Sequence, residues 1–284
     1  MRLEVGIGEH GYVSRDGGRS WEHGERDLAA AQRGFESPLL PAAGERARWA
    51  WLEMRAGLGV AVRNERIRKE LENRRRIESL AHVFLSSDSG ATWRECDLAA
   101  GLGPEALERI GCSWPAEAFS DVFVLPGARI ALFWEDPWLY DWPDMHVIHS
   151  GDGGAHWGYA CLGDPCPVVA ADPDGRLLAI NHQRTLVSLD GGASWNERVH
   201  KVKWPVGCPH EKVPIPRHVC FVAPGEAYAL VVHWHANDVP RSAPDVGLVR
   251  TIDDARTWKH VHVFENLDTP SVNSYGVLAL KVSA

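Results

Sequence analysis

Short apolar stretches, rich in β-branched and aromatic residues and separated by clusters of Gly, Pro, Asp and Asn, recur along most of this chain. Runs of that length bounded by turn residues read as strands. Residues 167–171, 176–181, 185–189 and 194–199 form one set of four, and 218–222, 227–235, 247–252 and 257–264 form another. Near the N-terminus only 3–8, 12–14 and 20–23 have this character, so that set lacks one strand. Residues 275–282 have the pattern to supply it. The stretch 64–79 differs. Ile67 and Leu71 stand four apart with Glu and Arg interleaved, which predicts a short helical flap. The alternative there is recognition of an acidic group by Arg74, Arg75 and Arg76.

One turn pattern, Ser/Thr-x-Asp-x-Gly-x-x-Trp, occurs five times. Its residues are Ser14, Asp16, Gly18 and Trp21; Ser86, Asp88, Gly90 and Trp93; Ser150, Asp152, Gly154 and Trp157; Ser188, Asp190, Gly192 and Trp195; and, with Ala255 in place of Gly, Thr251, Asp253 and Trp258. The chemistry suits a tight hairpin. The Asp carboxylate accepts backbone N–H groups of the turn, Gly supplies a positive φ, and Trp anchors the next strand as a large apolar body. These residues read as structural staples and not as catalytic or calcium-binding groups.

The pattern resembles the Asp-box, or bacterial neuraminidase repeat, of β-propeller proteins such as sialidases, some glucanases, sortilin-type receptors and photosystem assembly factors. That resemblance implies an all-β fold of four-stranded antiparallel blades, with each box linking the third and fourth strands away from the ligand face. The box Asp residues are 72, 64, 38 and 63 residues apart, and 47 across the termini. A four-stranded blade takes about 40–45 residues. Five blades are therefore expected, with six the alternative. A C-terminal strand on N-terminal strands would close the ring and remove a sheet edge. Stacked repeats make one continuous domain, here 1–284.

Composition adds exclusions. A net charge of −8 argues against nucleic acid and leaves room for a basic protein partner. No apolar run is long enough to span a membrane, and Met1-Arg2-Leu3-Glu4-Val5 reads directly into a strand, so a cytoplasmic bacterial protein is expected. The six Cys are scattered and read as reduced thiols, mostly buried. No cofactor is implied.

In such a fold the links between strands two and three, and between blades, open on the face opposite the boxes. The excess sequence falls there: 64–79, 135–145 and 236–246 within blades, and 22–45, 97–117 and 199–217 between them. Long loops on a rigid scaffold commonly carry binding. The most loaded holds Trp134, Glu135, Asp136, Trp138, Tyr140, Asp141, Trp142 and Asp144, four aromatics and four acids without a base. Such a loop can anchor a basic protein or stack on sugars. His233 and His235 share one face of a strand. With Cys208, His210 or Cys220 they would make a weak zinc candidate, whereas His146 and His149 point to opposite faces. Arg217 could face a channel. The Phe/Tyr-Arg-Ile-Pro motif of sialidases is missing; the nearest string, Val213-Pro214-Ile215-Pro216-Arg217, has the wrong order. The expectation is a non-catalytic module that binds a protein partner, of assembly-factor or toxin-neutralising (immunity) type. The alternative is a carbohydrate-binding protein or a glycoside hydrolase related to sialidases.

Overall fold

The structure is a computed structural model that describes residues 2–7, 10–16, 19–25, 40, 47–71, 74–110, 119–135, 144–163, 168–180, 184–199, 201–203, 215–233, 245–264 and 278–283. These residues build an all-β protein of five sheets, four of them four-stranded and antiparallel. Contacts divide the chain into two compact units.

The first unit comprises Met1–Gln32, Cys166–Val187 and Asn196–Ala284. Its N-terminal sheet holds β1 (Arg2–Ile7), β2 (His10–Ser14) and β3 (Glu22–Glu25). The last strand of the chain, β21 (Leu278–Ser283), pairs antiparallel with β1, Val5 opposite Leu280. A second sheet runs in order through β12 (Val168–Ala171), β13 (Leu177–Ile180), β14 (Arg184–Ser188) and β15 (Asn196–Val199). A third holds β17 (Ile215–Ala223), β18 (Glu226–His233), β19 (Asp245–Thr251) and β20 (Thr257–Phe264). The first strands of these sheets are neighbours: β12 packs beside β17, and β17 beside β21. Val168, Leu178, Val187, Val219, Ala229, Val231 and Trp258 form the core shared by the second and third of these sheets.

The second unit, Arg33–Pro165 with Ser188–Trp195, holds two sheets. One is β4 (Ala47–Arg55), β5 (Leu58–Leu71), β6 (Arg74–Ser86) and β7 (Arg94–Cys96). The other is β8 (Asp121–Leu125), β9 (Arg129–Glu135), β10 (Met145–Ser150) and β11 (Gly158–Cys161). Again the first strands, β4 and β8, are neighbours. Val60, Val62, Val83, Leu85, Val122, Ile130, Leu132 and Ile148 fill the space between the sheets, alternate residues of each strand facing inward. The β4–β5 turn has positive φ at both Ala56 and Gly57, the geometry whose twist matches a two-residue hairpin.

Three features depart from the pattern in the sequence. Residues 64–79 are not a helix: β5 and β6 continue through them as a hairpin, with Ile67 opposite Glu78 and Leu71 opposite Arg74. Five residues from 59 to 63 already pair with β6 inside the sheet, and the ladder propagates outward from them, overriding a local helical spacing. The link 97–117 contains α1 (Leu98–Ile110), two helical pieces broken at Gly103-Pro104 and capped by Asp97, whose Oδ1 accepts the Ala100 N–H at 3.0 Å. The link 199–217 contains β16 (Lys201–Lys203), which adds to β20 in parallel as a fifth strand.

Candidate functional site

Each sheet has two chemically different ends, and the β8–β11 sheet shows both. At one end lies the repeated turn, here 150–157. Ser150 Oγ donates to Asp152 Oδ1 at 2.9 Å and accepts the Gly154 N–H at 2.8 Å. Asp152 Oδ1 also accepts the Ala155 and His156 N–H groups, while Oδ2 faces His156 Nδ1 at 2.6 Å. The same net recurs at Asp16, Asp88, Asp190 and Asp253. Its fourth member is the residue before Trp, which is Ser20, Thr92, His156, Ser194 or Thr257. In four of the five turns its hydroxyl donates to the second carboxylate oxygen. Every instance has a side-chain donor there, a signal present in the sequence that the eight-residue pattern passed over.

These bonds hold the carboxylates ionised. Donation by the Thr92 hydroxyl, then by Thr92 N–H and Ser86, brings the Asp88 pKa down to about 2. Asp16 and Asp152 are held well below the carboxylate range by the same kind of donors. At Asp190 burial is the largest single influence and acts upward, but the Ser194 and Ser188 donors together outweigh it. A carboxylate held ionised by several donors of its own turn is committed to that turn and is a poor proton donor. The turns also clasp their own sheets: Ser89 N–H donates to Gly57 O, Gly153 to Ala128 O and Asp254 to Gly225 O.

The other end of the same sheet, where β9 leads into β10, carries the candidate site. Trp134 is 1% exposed and lies in the core, stacked on His146 at 4.9 Å and edge-on to Phe119 at 6.1 Å. The expected role of an exposed stacking ring does not apply to it. His146 sits opposite both Trp134 and Cys161 in register. Its Nδ1 is 2.9 Å from Tyr159 Oη. Asp144 is half-buried at the mouth of this aromatic stack, and the Cys161 thiol donates to its Oδ2 at 3.9 Å. Burial pushes the Cys161 pKa up, so it remains a neutral thiol beside the acid. Glu135 ends β9 opposite Met145. The structure therefore brings together Trp134, Asp144, His146, Tyr159 and Cys161, of which His146, Tyr159 and Cys161 were not expected there. Same-face neighbours on adjacent strands reveal them only once the register is known.

Asp136, Trp138, Tyr140, Asp141, Trp142 and His235 lie outside the described residues, as do Gly18, Cys208 and His210. Arg217 falls in β17 at a register shift, and His233 ends β18 opposite Asp245. No group of three or more His, Cys, Asp or Glu able to hold a metal occurs among the described residues. Cys96, Cys161 and Cys220 are free thiols. Among the described residues no helix is long and apolar enough to cross a membrane.

No family model matches the chain, and no curated protein matches it. Solved structures do. One is the α-L-arabinofuranosidase Arb93A of Fusarium graminearum, 15% identical with a TM-score of 0.43; the match covers 78% of this chain and 66% of that one, just under two thirds of its length. A GH43_1 enzyme of Xanthomonas citri is 14% identical, with a TM-score of 0.38 over 84% of this chain and 78% of that one. A family 117 glycoside hydrolase of Zobellia galactanivorans, Zg3597, is 15% identical, with a TM-score of 0.36 over 81% and 66%. The expectation of a non-catalytic protein-binding module is corrected at this point. These similar structures are glycoside hydrolases, and the first aromatic of the loop that was to anchor a partner is buried in the core.

Proposed function

We propose that this chain is a five-bladed β-propeller of the Asp-box type, closed by β21 on β1, that acts on or binds carbohydrate at the end of its sheets opposite the box turns. The observation that carries the reading is the division of chemistry between the two ends. The box carboxylates are engaged by their own hairpins, whereas Asp144 stands half-buried next to Cys161, on the strand that carries Tyr159, the partly exposed ring of a stack whose other members, Trp134 and His146, are buried. A carboxylate acceptor next to aromatic surface is the combination that holds a sugar, the ring against the apolar face and its hydroxyls on the acid. Glycoside hydrolysis uses two carboxyl groups roughly 5–9 Å apart, one to protonate the leaving oxygen. Asp144 is a candidate for one of the two; Glu135, in register with Met145, belongs to the other face of the sheet by strand alternation and is not its partner.

The test is a neutral-glycan array together with a panel of aryl glycosides, run on the intact chain and on Asp144→Asn. Binding or turnover that falls at least tenfold in the variant supports the assignment. A folded intact chain that binds no glycan and cleaves no glycoside removes it.

A further inference from the structure

Beyond Glu65 and Ala81, the ladders of β5 and β6 to β4 and β7 end among the described residues. The pairing of β4 with β5 ends at Ala47 opposite Glu65, and that of β7 with β6 ends at Cys96 opposite Val83. From Arg66 opposite Ser79 to Leu71 opposite Arg74, the two strands pair only with each other among the described residues. Residues 66–79 contain Arg66, Arg68, Lys69, Arg74, Arg75 and Arg76, six of the chain's 30 Lys and Arg, against Glu70, Glu72 and Glu78. The segment thus carries +3 in a chain of −8, which leaves −11 on the remainder.

This arrangement works against the stability of the free protein. A lone two-stranded ribbon is marginal in water. Like charges set directly opposite each other weaken it further, and the register places Lys69 opposite Arg76. One position of opposite charge in the register, Glu70 opposite Arg75, offsets this only in part. A multivalent anion laid along the ribbon would relieve the repulsion. Five of the six cations are Arg, whose planar fork matches the two oxygens of a carboxylate, and a point charge from Lys would not. The −11 remainder disfavours a densely charged nucleic acid, with one negative charge per about 1.7 Å of duplex, more than a sparsely charged chain.

We infer that the β5–β6 ribbon is a docking element for an anionic polysaccharide bearing uronate carboxylates, with Arg74 and Arg76, which share one face of the ribbon with Lys69, as its principal contacts and Arg75 on the other face. This rests on the carbohydrate reading above and names the class of polymer.

The experiment measures binding of a fluorescent oligogalacturonate by anisotropy at low and high salt. The proteins are the intact chain, Arg74→Gln/Arg75→Gln/Arg76→Gln, and the same three positions changed to Lys, each checked for a melting temperature no lower than that of the intact chain. The intact chain is expected to bind and to weaken with salt. The Gln variant should lose roughly tenfold or more, and the Lys variant should lie between, since it keeps charge but not the fork. Equal binding by the Gln variant, no binding by the intact chain, or tighter binding of a DNA duplex than of oligogalacturonate overturns the proposal. The neutral-glycan assay of Asp144→Asn fails or succeeds independently, so loss of that arm with a retained ribbon effect falls on the site reading and not on the ribbon.

Discussion

Replacing Arg176 by Ala tests how the first unit is held together away from the candidate site. Arg176 Nε donates to Asp172 Oδ2 at 2.5 Å, and its Nη1 donates to Asp254. The Asp172 side chain is fully buried, while those of Arg176 and Asp254 are 20% and 35% exposed. The guanidinium thereby ties the β12–β13 turn to the repeated turn between β19 and β20. Arg198 Nη1 closes the cluster by donating to Asp254 O at 2.5 Å. Removing one partner of a fully buried pair costs about 3–5 kcal/mol, because the other charge is stranded. Asp172 keeps the Arg176 N–H at 2.8 Å, and water reaches the outer half of the cluster. The expected loss is therefore about 2–3 kcal/mol. For a domain of this size that lowers the melting temperature by roughly 4–12 °C. Calorimetry of Arg176→Met, Asp172→Asn and the double variant completes a cycle. The double variant should recover most of the loss, since removing both charges of a buried pair is close to neutral. A change below about 0.5 kcal/mol in Arg176→Ala, or a double variant as unstable as the summed singles, would refute the assigned role.

Other consequences follow from the repeated turns. Gly154 has φ +89°, and a Cβ there would lie 2.3 Å from Leu85 Cδ1, so Gly154→Ala should cost about 1–3 kcal/mol in urea unfolding; an unchanged midpoint would contradict the packing. The Asp88 pKa is depressed from 3.8 to about 2, so its contribution to stability is complete above pH 4 and is lost as the pH falls through 2. Asp88→Asn should flatten the melting temperature against pH in that window, and a profile parallel to the parent would count against it. At another of these carboxylates, Ser194→Ala removes the hydroxyl on Asp190 Oδ2 and should cost about 1–2 kcal/mol in thermal unfolding. The neighbouring Asn196→Ala, on exposed strand, serves as the control.

Much of the scaffold was legible because its signals are local. The strand expected at 257–264 is β20 to the residue, 167–171 differs from β12 by one residue at one end, and 176–181 and 185–189 differ from β13 and β14 by one residue at each end. The repeated turns could be read because all their donors and acceptors lie within eight residues of chain. Even the substitution of Ala255 for Gly preserved the turn: Ala255 adopts φ +60° and its N–H still reaches Thr251 Oγ1 at 3.0 Å. The Asp97 cap of α1 was equally local and was passed over. The candidate site was legible only in part. Asp144 was singled out by its charge, but Trp134 looked like an exposed ring when it is a core residue. Its burial depends on Phe119 and His146, which approach from other strands.

The sequence by itself determined the hairpin chemistry, the positions of most strands and the concentration of acids and aromatics in one connection, since each depends on residues close along the chain. Only the tertiary structure decided that 66–79 is a basic ribbon and not a helix, that 201–203 joins β20 as a parallel strand, and that His146, Tyr159 and Cys161 gather around Asp144. Those outcomes depend on which strands pair and in what register. Pairing energy is collective across a sheet, and no single segment carries it.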